Sequence, residues 1–185
     1  MIYDLPETLT VMGEERPIRS DYRAALDICA ALADPELTGR EKTLAALCIC
    51  YPRLEEIPPE GYQEALERCF WFLDGGEEAA QGSRPGPRLM DWEQDFSRIV
   101  APVNRVLGRE VREGPCHWWT FLSAYYEIGG DCLFAQIVRV RDALARGKKL
   151  DKTDRDWYRR NRELVDLRKK YTSEEQQLLK EWGGG

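Results

Sequence analysis

The chain has 185 residues, of which 43% are hydrophobic, 10% aromatic and 32% charged. This composition is typical of one globular domain or two small ones, and it excludes an intrinsically disordered chain. Residues 139–185 carry 14 Lys and Arg against 9 Asp and Glu, whereas residues 1–138 carry 13 against 24. The acidic majority would repel a phosphate backbone, so the basic end favours an acidic protein surface over nucleic acid as a partner.

No apolar run approaches the roughly 18 residues that a membrane helix needs, and the N-terminus lacks the apolar core of a signal peptide. We therefore expect no membrane contact and a cytosolic location. Six cysteines are present with a single histidine. The spacing Cys48-Ile49-Cys50 lacks the paired knuckle of a zinc site, so we expect free thiols, most of them buried on helix faces, and no metal.

The first 19 residues predict a small β-hairpin. Residues 8–11 alternate polar and apolar side chains, Gly13 supplies a turn, and residues 16–18 return as a second strand. Pro17 cannot donate a ladder hydrogen bond, so its strand should lie at an edge. Such a hairpin is marginal in water and must pack on helices or pair with another chain.

Three helices are predicted next. The first follows a cap at Ser20 or Asp21, and the second starts with a capping box formed by Thr38 and Glu41. The third follows the Pro58-Pro59 pair. The predicted inward positions are Tyr22, Ala25, Leu26, Cys29 and Leu32, then Leu44, Leu47, Cys48 and Tyr51, then Tyr62, Ala65, Leu66, Cys69, Phe70 and Leu73.

Residues 75–90 are rich in Gly and Pro and show no periodicity, which predicts a flexible linker. The predicted organisation is therefore an N-terminal hairpin with a three-helix subdomain over 1–74, the linker over 75–90, and a C-terminal helical subdomain over 91–185. The linker is either a partner-binding loop or hinge, or an ordinary surface insertion, and the second interpretation is favoured.

Three amphipathic helices follow the linker. The stripe of the first consists of Trp92, Phe96, Ile99, Val100, Val103 and Leu107; that of the second of Trp118, Phe121, Leu122, Tyr125 and Ile128; and that of the third of Leu133, Phe134, Ile137, Val138 and Leu144. The first two should pack together through their aromatic side chains. One further helix is predicted from about residue 151 to Tyr171, and a short last one starts at Thr172 or Ser173. The fold class is mainly α: helical bundles with a small N-terminal β-hairpin.

Two clusters could be taken for catalytic groups. Cys116 precedes His117, but adjacent residues on a helix point about 100° apart, and no orienting Asn or Asp is identifiable. A histidine that caps the aromatic helix is the preferred interpretation. The acidic residues Asp91, Glu93 and Asp95 lie in a first helical turn, where the helix dipole favours them. The sequence thus predicts no catalytic, cofactor-binding or metal site and no enzymatic activity.

The pair Trp118-Trp119 indicates a surface feature. Neighbouring indoles diverge on a helix, so one should lie at the surface or beneath the linker. Exposed beside Tyr126, Trp119 would be a candidate protein-binding anchor. Complete coverage of both indoles within the monomer is the alternative. Arg139 and Arg141, at the start of the basic end, are further candidate partner-binding residues. We also expect Gln94 or Asp95 to reach residues 115–125 and to tie the two aromatic helices together.

Several short strings resemble the gene-product-fifteen family of siphophage and prophage proteins. They are the opening with Ile18, Ser20, Asp21 and Arg23; the motif of Asp91, Trp92, Glu93, Gln94 and Asp95; the string of His117, Trp118, Trp119, Thr120 and Phe121; and residues 137–141. They cover about the first 25 residues and 90–142, whereas the last 40 residues match less clearly.

The resemblance implies a function in phage tail morphogenesis. Family members are usually encoded near the tape-measure gene and are thought to act as tail assembly chaperones. It implies a non-enzymatic factor of the host bacterial cytoplasm that holds the tape measure protein or recruits tail-tube subunits, and a homo-oligomer is compatible with it. A structural component of the tail or its junction is the alternative, and an enzyme or a nucleic-acid binder that uses the basic end is a third.

Overall fold

The computed structural model describes residues 4–77 and 86–177. The chain divides into two units. Unit 1 consists of Met1–Glu78, His117–Trp119 and Lys169–Gly185; unit 2 consists of Ala79–Cys116 and Thr120–Arg168. The core of the predicted linker, residues 78–85, lies outside the described residues, as do Leu178, Leu179 and Trp182 of the predicted last helix. The chain is mainly helical with one two-stranded sheet among the described residues, as the sequence predicts.

Unit 1 begins with the predicted hairpin. Strands β1 (Thr8–Val11) and β2 (Glu14–Pro17) pair antiparallel, with Val11 opposite Glu14 and Thr8 opposite Pro17. The two-residue turn needs left-handed backbone at Met12 (φ 53°) and Gly13 (φ 78°), which glycine adopts without strain. Leu9 and Val11 are buried, while Thr8 and Thr10 are exposed. One face of the sheet is therefore packed and the other is wet.

Three helices follow in unit 1: α1 (Tyr22–Ala33), α2 (Gly39–Cys50) and α3 (Tyr62–Leu73). The Asp21 side chain caps α1, and Thr38 and Glu41 form the predicted capping box of α2. Helix α1 packs against α2, α2 against α3, and α3 against β1. The unit 1 core contains Leu9, Val11, Ile18, Tyr22, Ala25, Ile28, Ala46, Leu47, Cys50, Tyr51, Ile57, Ala65, Cys69 and Phe72.

Some predicted inward faces are wrong. Leu44, Cys48 and Phe70 are exposed, whereas Cys50 and Phe72 are buried. In each helix the buried stripe is rotated by about two positions from part of the predicted one. Alternating apolar residues at consecutive helical positions make several stripes equally apolar, and packing against neighbours decides between them.

Unit 2 contains α4 (Trp92–Leu107), α6 (Leu133–Ala145), α7 (Lys152–Arg160) and α8 (Arg162–Val165). Helix α5 (Trp118–Tyr126) contributes its first two residues to unit 1 and the rest to unit 2. The ring centroid of Trp92 lies 6.1 Å from that of Phe121 and 4.8 Å from that of Tyr125, and those of Phe96 and Phe121 lie 6.4 Å apart. The predicted aromatic packing between α4 and α5 is confirmed.

The predicted helix from about residue 151 to Tyr171 is wrong. Helix α7 ends at Arg160, and α8 ends at Val165. Asn161 leaves the helical conformation (φ −120°, ψ 26°), and its side-chain amide donates to the Trp157 carbonyl. A short amide side chain competes in this way with the backbone ladder, which favours a helix end. Ile137, Val140 and Val165 are buried together beneath partly buried Leu150, Trp157, Tyr158 and Leu164.

The last described segment belongs to unit 1. Residues 173–177 are helical, and the backbone N–H of Glu175 donates to the Thr172 hydroxyl while the Glu175 carboxylate accepts from the Thr172 N–H. This is the predicted capping box. The N–H of Ser173 donates to the Glu36 carboxylate. Across the described residues, no helix is both long enough and apolar enough to cross a membrane.

Candidate functional site

His117 holds the start of α5 within unit 1. Its Nε2 lies 3.0 Å from the Pro6 carbonyl oxygen, and its Nδ1 lies 3.1 Å from the backbone nitrogen of Trp119. A carbonyl only accepts and a backbone N–H only donates, so the proton lies on Nε2 of a neutral ring. His117 also forms a backbone bridge with Asp21. Its role is the predicted capping role.

Trp118 and Trp119 are both tied to the end of α3. The buried indole of Trp118 donates to the Leu73 carbonyl at 2.9 Å, and the half-buried indole of Trp119 donates to the Phe72 carbonyl at 2.8 Å. The last carbonyls of a helix lack partners within the helix, so both indoles satisfy orphan acceptors. The two indoles differ in burial, as the sequence predicts.

The Trp119 ring contacts the beginning of the predicted linker. A β-carbon built on Gly76 (φ +84°) would lie only 2.7 Å from the Trp119 ring. The backbone N–H of Gly76 donates to the Trp71 carbonyl, and the rings of Trp71 and Trp119 meet edge to face with centroids 5.4 Å apart. Glycine is therefore required twice at position 76, for its backbone conformation and for the space that the indole takes.

These aromatic rings line a groove in unit 1 of about 400 Å³. Its other walls are the segment before β1, the strand itself and part of α3. The lining residues are Asp4, Leu5, Pro6, Glu7, Thr8, Leu9, Thr10, Glu15, Arg68, Trp71 and Trp119. We call this the β1 groove. Sequence reasoning named Trp119 alone among them; Trp71 lies off the predicted apolar face of α3, which was the one signal that could have marked it.

The acidic motif at the start of α4 has a structural role in unit 2. The Asp91 carboxylate caps the helix by accepting from the Gln94 N–H at 2.8 Å, and it forms an ion pair with Arg88. The fully buried Asp95 carboxylate accepts from the Asp91 N–H and pairs with Arg141 through two hydrogen bonds of 2.6 and 3.0 Å. Trp92 joins the aromatic contact with α5, and Glu93 is exposed.

The predicted contact of Gln94 or Asp95 with residues 115–125 is wrong. The Gln94 amide instead donates to the Asp166 carbonyl and accepts from the Arg168 N–H, both at 2.9 Å. Asp95 takes Arg141 from α6 as its partner. A buried carboxylate requires a charged or multiply donating partner, and the residues of α5 that face α4 are aromatic.

Arg141 is a correction among the candidate partner-binding residues. Its guanidinium is buried and donates to the carbonyls of Leu89, Leu164 and Val165 as well as to Asp95. All of these partners are inside unit 2, so the side chain is not presented at the surface. Arg139 is exposed and pairs with Asp154 at 2.8 Å, and Tyr126 is 67% exposed.

The cysteines are all free thiols in the structure. Burial is the main cause that raises the pKa of Cys29 to about 11. A hydrogen bond with Cys69, followed by burial, raises the pKa of Cys50. Thiols held protonated in this way are poor nucleophiles and poor metal ligands at neutral pH. Within residues 4–77 and 86–177, no group of three or more His, Cys, Asp or Glu side chains could hold a metal ion.

Comparison with known proteins identifies the family. The family model for the Bacteriophage Gp15 protein matches residues 1–167. Neither the curated proteins nor the solved structures contain a match. The match covers the hairpin, both aromatic strings and α4 to α8, which includes most of the last stretch, where the sequence resemblance was least clear. The chain is a phage-related protein and belongs to the Bacteriophage Gp15 protein family.

Proposed function

We propose that this protein is a non-enzymatic tail assembly chaperone of the host bacterial cytoplasm. In this proposal it holds the tape measure protein, recruits tail-tube subunits, or does both during tail morphogenesis. Family membership supports a role in a phage. The observation that carries the finer proposal is the β1 groove, where two tryptophan rings and a strand edge are presented together in unit 1.

The chemistry of the groove suits a protein partner. Tryptophan supplies a large apolar area with a polar edge, and it is enriched at the centres of protein interfaces. Trp71 and Trp119 meet edge to face, and the Trp119 N–H is already satisfied by the Phe72 carbonyl. An incoming side chain can therefore cover the rings without stranding a polar group.

The motif residues support a non-enzymatic role because they are used inside the fold. His117 bonds Pro6 and the Trp119 backbone, and Asp95 neutralises Arg141. Such residues keep two units in shape and leave recognition to surface groups. In this proposal Trp119 and Tyr126 are partner-binding residues, and Arg139 is a third.

Co-expression tests the proposal. The chain would be expressed with the tape measure and tail-tube proteins of the same phage, and the soluble complex would be isolated and analysed by light scattering. We expect the chain to increase the soluble yield of a tail protein and to co-purify with it. Trp119→Ala should reduce co-purification, while Leu144→Ala, at an exposed apolar position in unit 2, should not. Failure of the wild-type chain to retain either tail protein would contradict the proposal.

Quantification in purified virions separates the chaperone from a structural tail component. A chaperone acts transiently and should be absent from mature particles. A copy number comparable to that of a tail-tube or junction protein would favour the structural alternative instead.

A further inference from the structure

The outer edge of β1 carries unpaired backbone groups. Hydrogen-bonded and non-hydrogen-bonded residue pairs alternate along an antiparallel ladder. The Ile18 N–H donates to the Glu7 carbonyl, so Thr8 and Thr10 stand in the non-bonded pairs and direct their N–H and C=O groups away from β2. Within the described part of the chain, no other element bonds these backbone groups of Thr8 and Thr10.

The two edges of the hairpin differ in their protection. Strand β2 carries Glu14, Glu15, Arg16 and Pro17, and charges and proline are the usual means of blocking an edge. Strand β1 reads Thr-Leu-Thr-Val, with β-branched residues and no charge. The open edge is thus the one whose sequence best accepts another strand, and it lines the β1 groove.

The groove is acidic around its aromatic rings. Its lining has the carboxylates of Asp4, Glu7 and Glu15 against the single guanidinium of Arg68. The hydroxyls of Thr10 and Thr8 donate to Glu15 at 2.6 and 2.5 Å and lower the pKa of this carboxyl, which therefore stays ionised. A ligand with basic side chains complements this lining, and an acidic one does not.

We propose that the β1 edge binds an extended segment of a partner protein in which basic and apolar side chains alternate. The segment adds a strand to β1 through the backbone groups of Thr8 and Thr10. Successive side chains of a strand point to opposite sides, so one set can cover Trp71 and Trp119 while the other reaches the carboxylates. This inference rests on the proposed function, because the segment would belong to the client.

A second copy of the chain is the competing occupant. Pairing of β1 with β1 of another copy would bring only threonine, leucine and valine to the edge, and it would bring a second Glu15 near the first. No basic group would then answer the acidic lining. Charge complementarity therefore favours a basic segment over self-association.

A model peptide provides the direct test. The probe is a fluorescently labelled hexapeptide of alternating lysine and valine, compared with its glutamate–valine counterpart and with a lysine–valine peptide N-methylated at alternate residues. N-methylation keeps the charges and side chains but removes ladder donors. We expect each change to weaken binding by about tenfold or more, since two or more hydrogen bonds or ion pairs are lost. Hydrogen exchange of the Thr8 and Thr10 amides should slow when the first peptide binds.

Variants of the strand locate the binding edge. Thr10→Pro removes an N–H from the open edge without removing a bond to β2, and it should weaken lysine–valine binding by about tenfold. Thr10→Val keeps the N–H and should bind as the wild type does. If Thr10→Pro disturbs the hairpin, Glu15→Lys reverses the charge while keeping the backbone and should weaken binding similarly. Equal binding of the N-methylated peptide, or unaltered binding by Glu15→Lys, would overturn the inference.

The outcomes separate this inference from the proposed function. Capture of the tape measure protein by a folded Thr10→Pro variant at the wild-type level would overturn the β1 edge as the client site and leave the chaperone proposal standing. Lysine–valine binding with edge protection, but no retained tail protein, would support the edge and defeat the chaperone proposal. Concentration-dependent dimerisation that Thr10→Pro abolishes would assign the edge to a second copy and overturn the inference.

Discussion

The guanidinium of Arg141 and the carboxylate of Asp95 form a buried two-point ion pair in unit 2. Nη1 lies 2.6 Å from Oδ2 and Nη2 lies 3.0 Å from Oδ1, and the side chains are 5% and 0% exposed. Arg141 also donates to three carbonyls. The pair therefore joins α4 and α6 to the segments before α4 and at the end of α8.

Removal of one partner should be costly. Asp95→Asn leaves the buried guanidinium without its counter-charge, and we expect it to lower the free energy of unfolding by about 3–5 kcal/mol. Denaturant unfolding followed by near-ultraviolet circular dichroism measures this loss. Arg98→Met, which removes an exposed bond to the Ser97 hydroxyl and one to the Gln94 carbonyl, is the control and should cost far less. A loss below about 1 kcal/mol for Asp95→Asn would contradict a central role for the pair.

Gln94 is expected to position the segment that follows α8. Gln94→Glu replaces the donor to the Asp166 carbonyl with a carboxylate oxygen, and two acceptors then face each other. The Arg168 amide should exchange its hydrogen faster as the segment loosens, although the acceptor for this amide is retained. Gln94→Ala should accelerate exchange as well, whereas Glu93→Gln should not. Unchanged protection of Arg168 in Gln94→Glu would show that the segment is held by other contacts.

Local chemistry made much of the fold predictable. Thr38 with Glu41, and Thr172 with Glu175, form the capping boxes that their spacing indicated. The stripe from Trp92 meets that from Trp118 onwards because both helices carry aromatic residues at helical spacing.

Contacts distant in the sequence were not predictable in the same way. No periodicity shows that Arg141 is needed by Asp95, 46 residues away, and a basic residue was assigned to the surface on its type alone. The β1 groove was missed for a related reason. Trp71 and the strand edge meet only after α3 has packed on β1, and a lone sequence carries no signal of that meeting.

Gly76 should not tolerate a side chain. Gly76→Ala adds a methyl group where the Trp119 ring lies, and it also requires a left-handed alanine. Gly13→Ala is a matched control in unit 1, since it has a similar φ of +78° and nothing within 4 Å of the added carbon. Both variants should lose about 1 kcal/mol or more from backbone strain, and Gly76→Ala should lose additional stability and shift the tryptophan fluorescence. Equal losses and unaltered fluorescence would indicate that the ring moves aside without cost.

The loop after α4 should respond to acid. Hydrogen bonds from the Arg112 side chain and backbone are the main causes that lower the pKa of Glu110 to about 2, and Asn104 adds a smaller contribution. A carboxyl with a lowered folded-state pKa stabilises the fold above its ordinary value of 4.5, and this contribution is lost as the pH falls from there through about 2.

Carboxyl chemical shifts measured by NMR during an acid titration give this pKa directly. Arg112→Met should raise the pKa of Glu110 towards 4.5, and Asn104→Ala should raise it less. The same ordinary midpoint in the wild type and in Arg112→Met would exclude the assigned cause.

The carbonyls of Leu164 and Val165, which Arg141 accepts as partners, have a consequence for folding during synthesis. While the ribosome still holds these residues, the guanidinium cannot complete its set of partners, although α4 and α6 have already emerged. A nascent chain would therefore carry a half-coordinated charge between two aromatic helices until the end of α8 is released. A premature stop codon shortly before Leu164 should leave an aggregation-prone product, even though every aromatic residue of the α4–α5 contact has been translated.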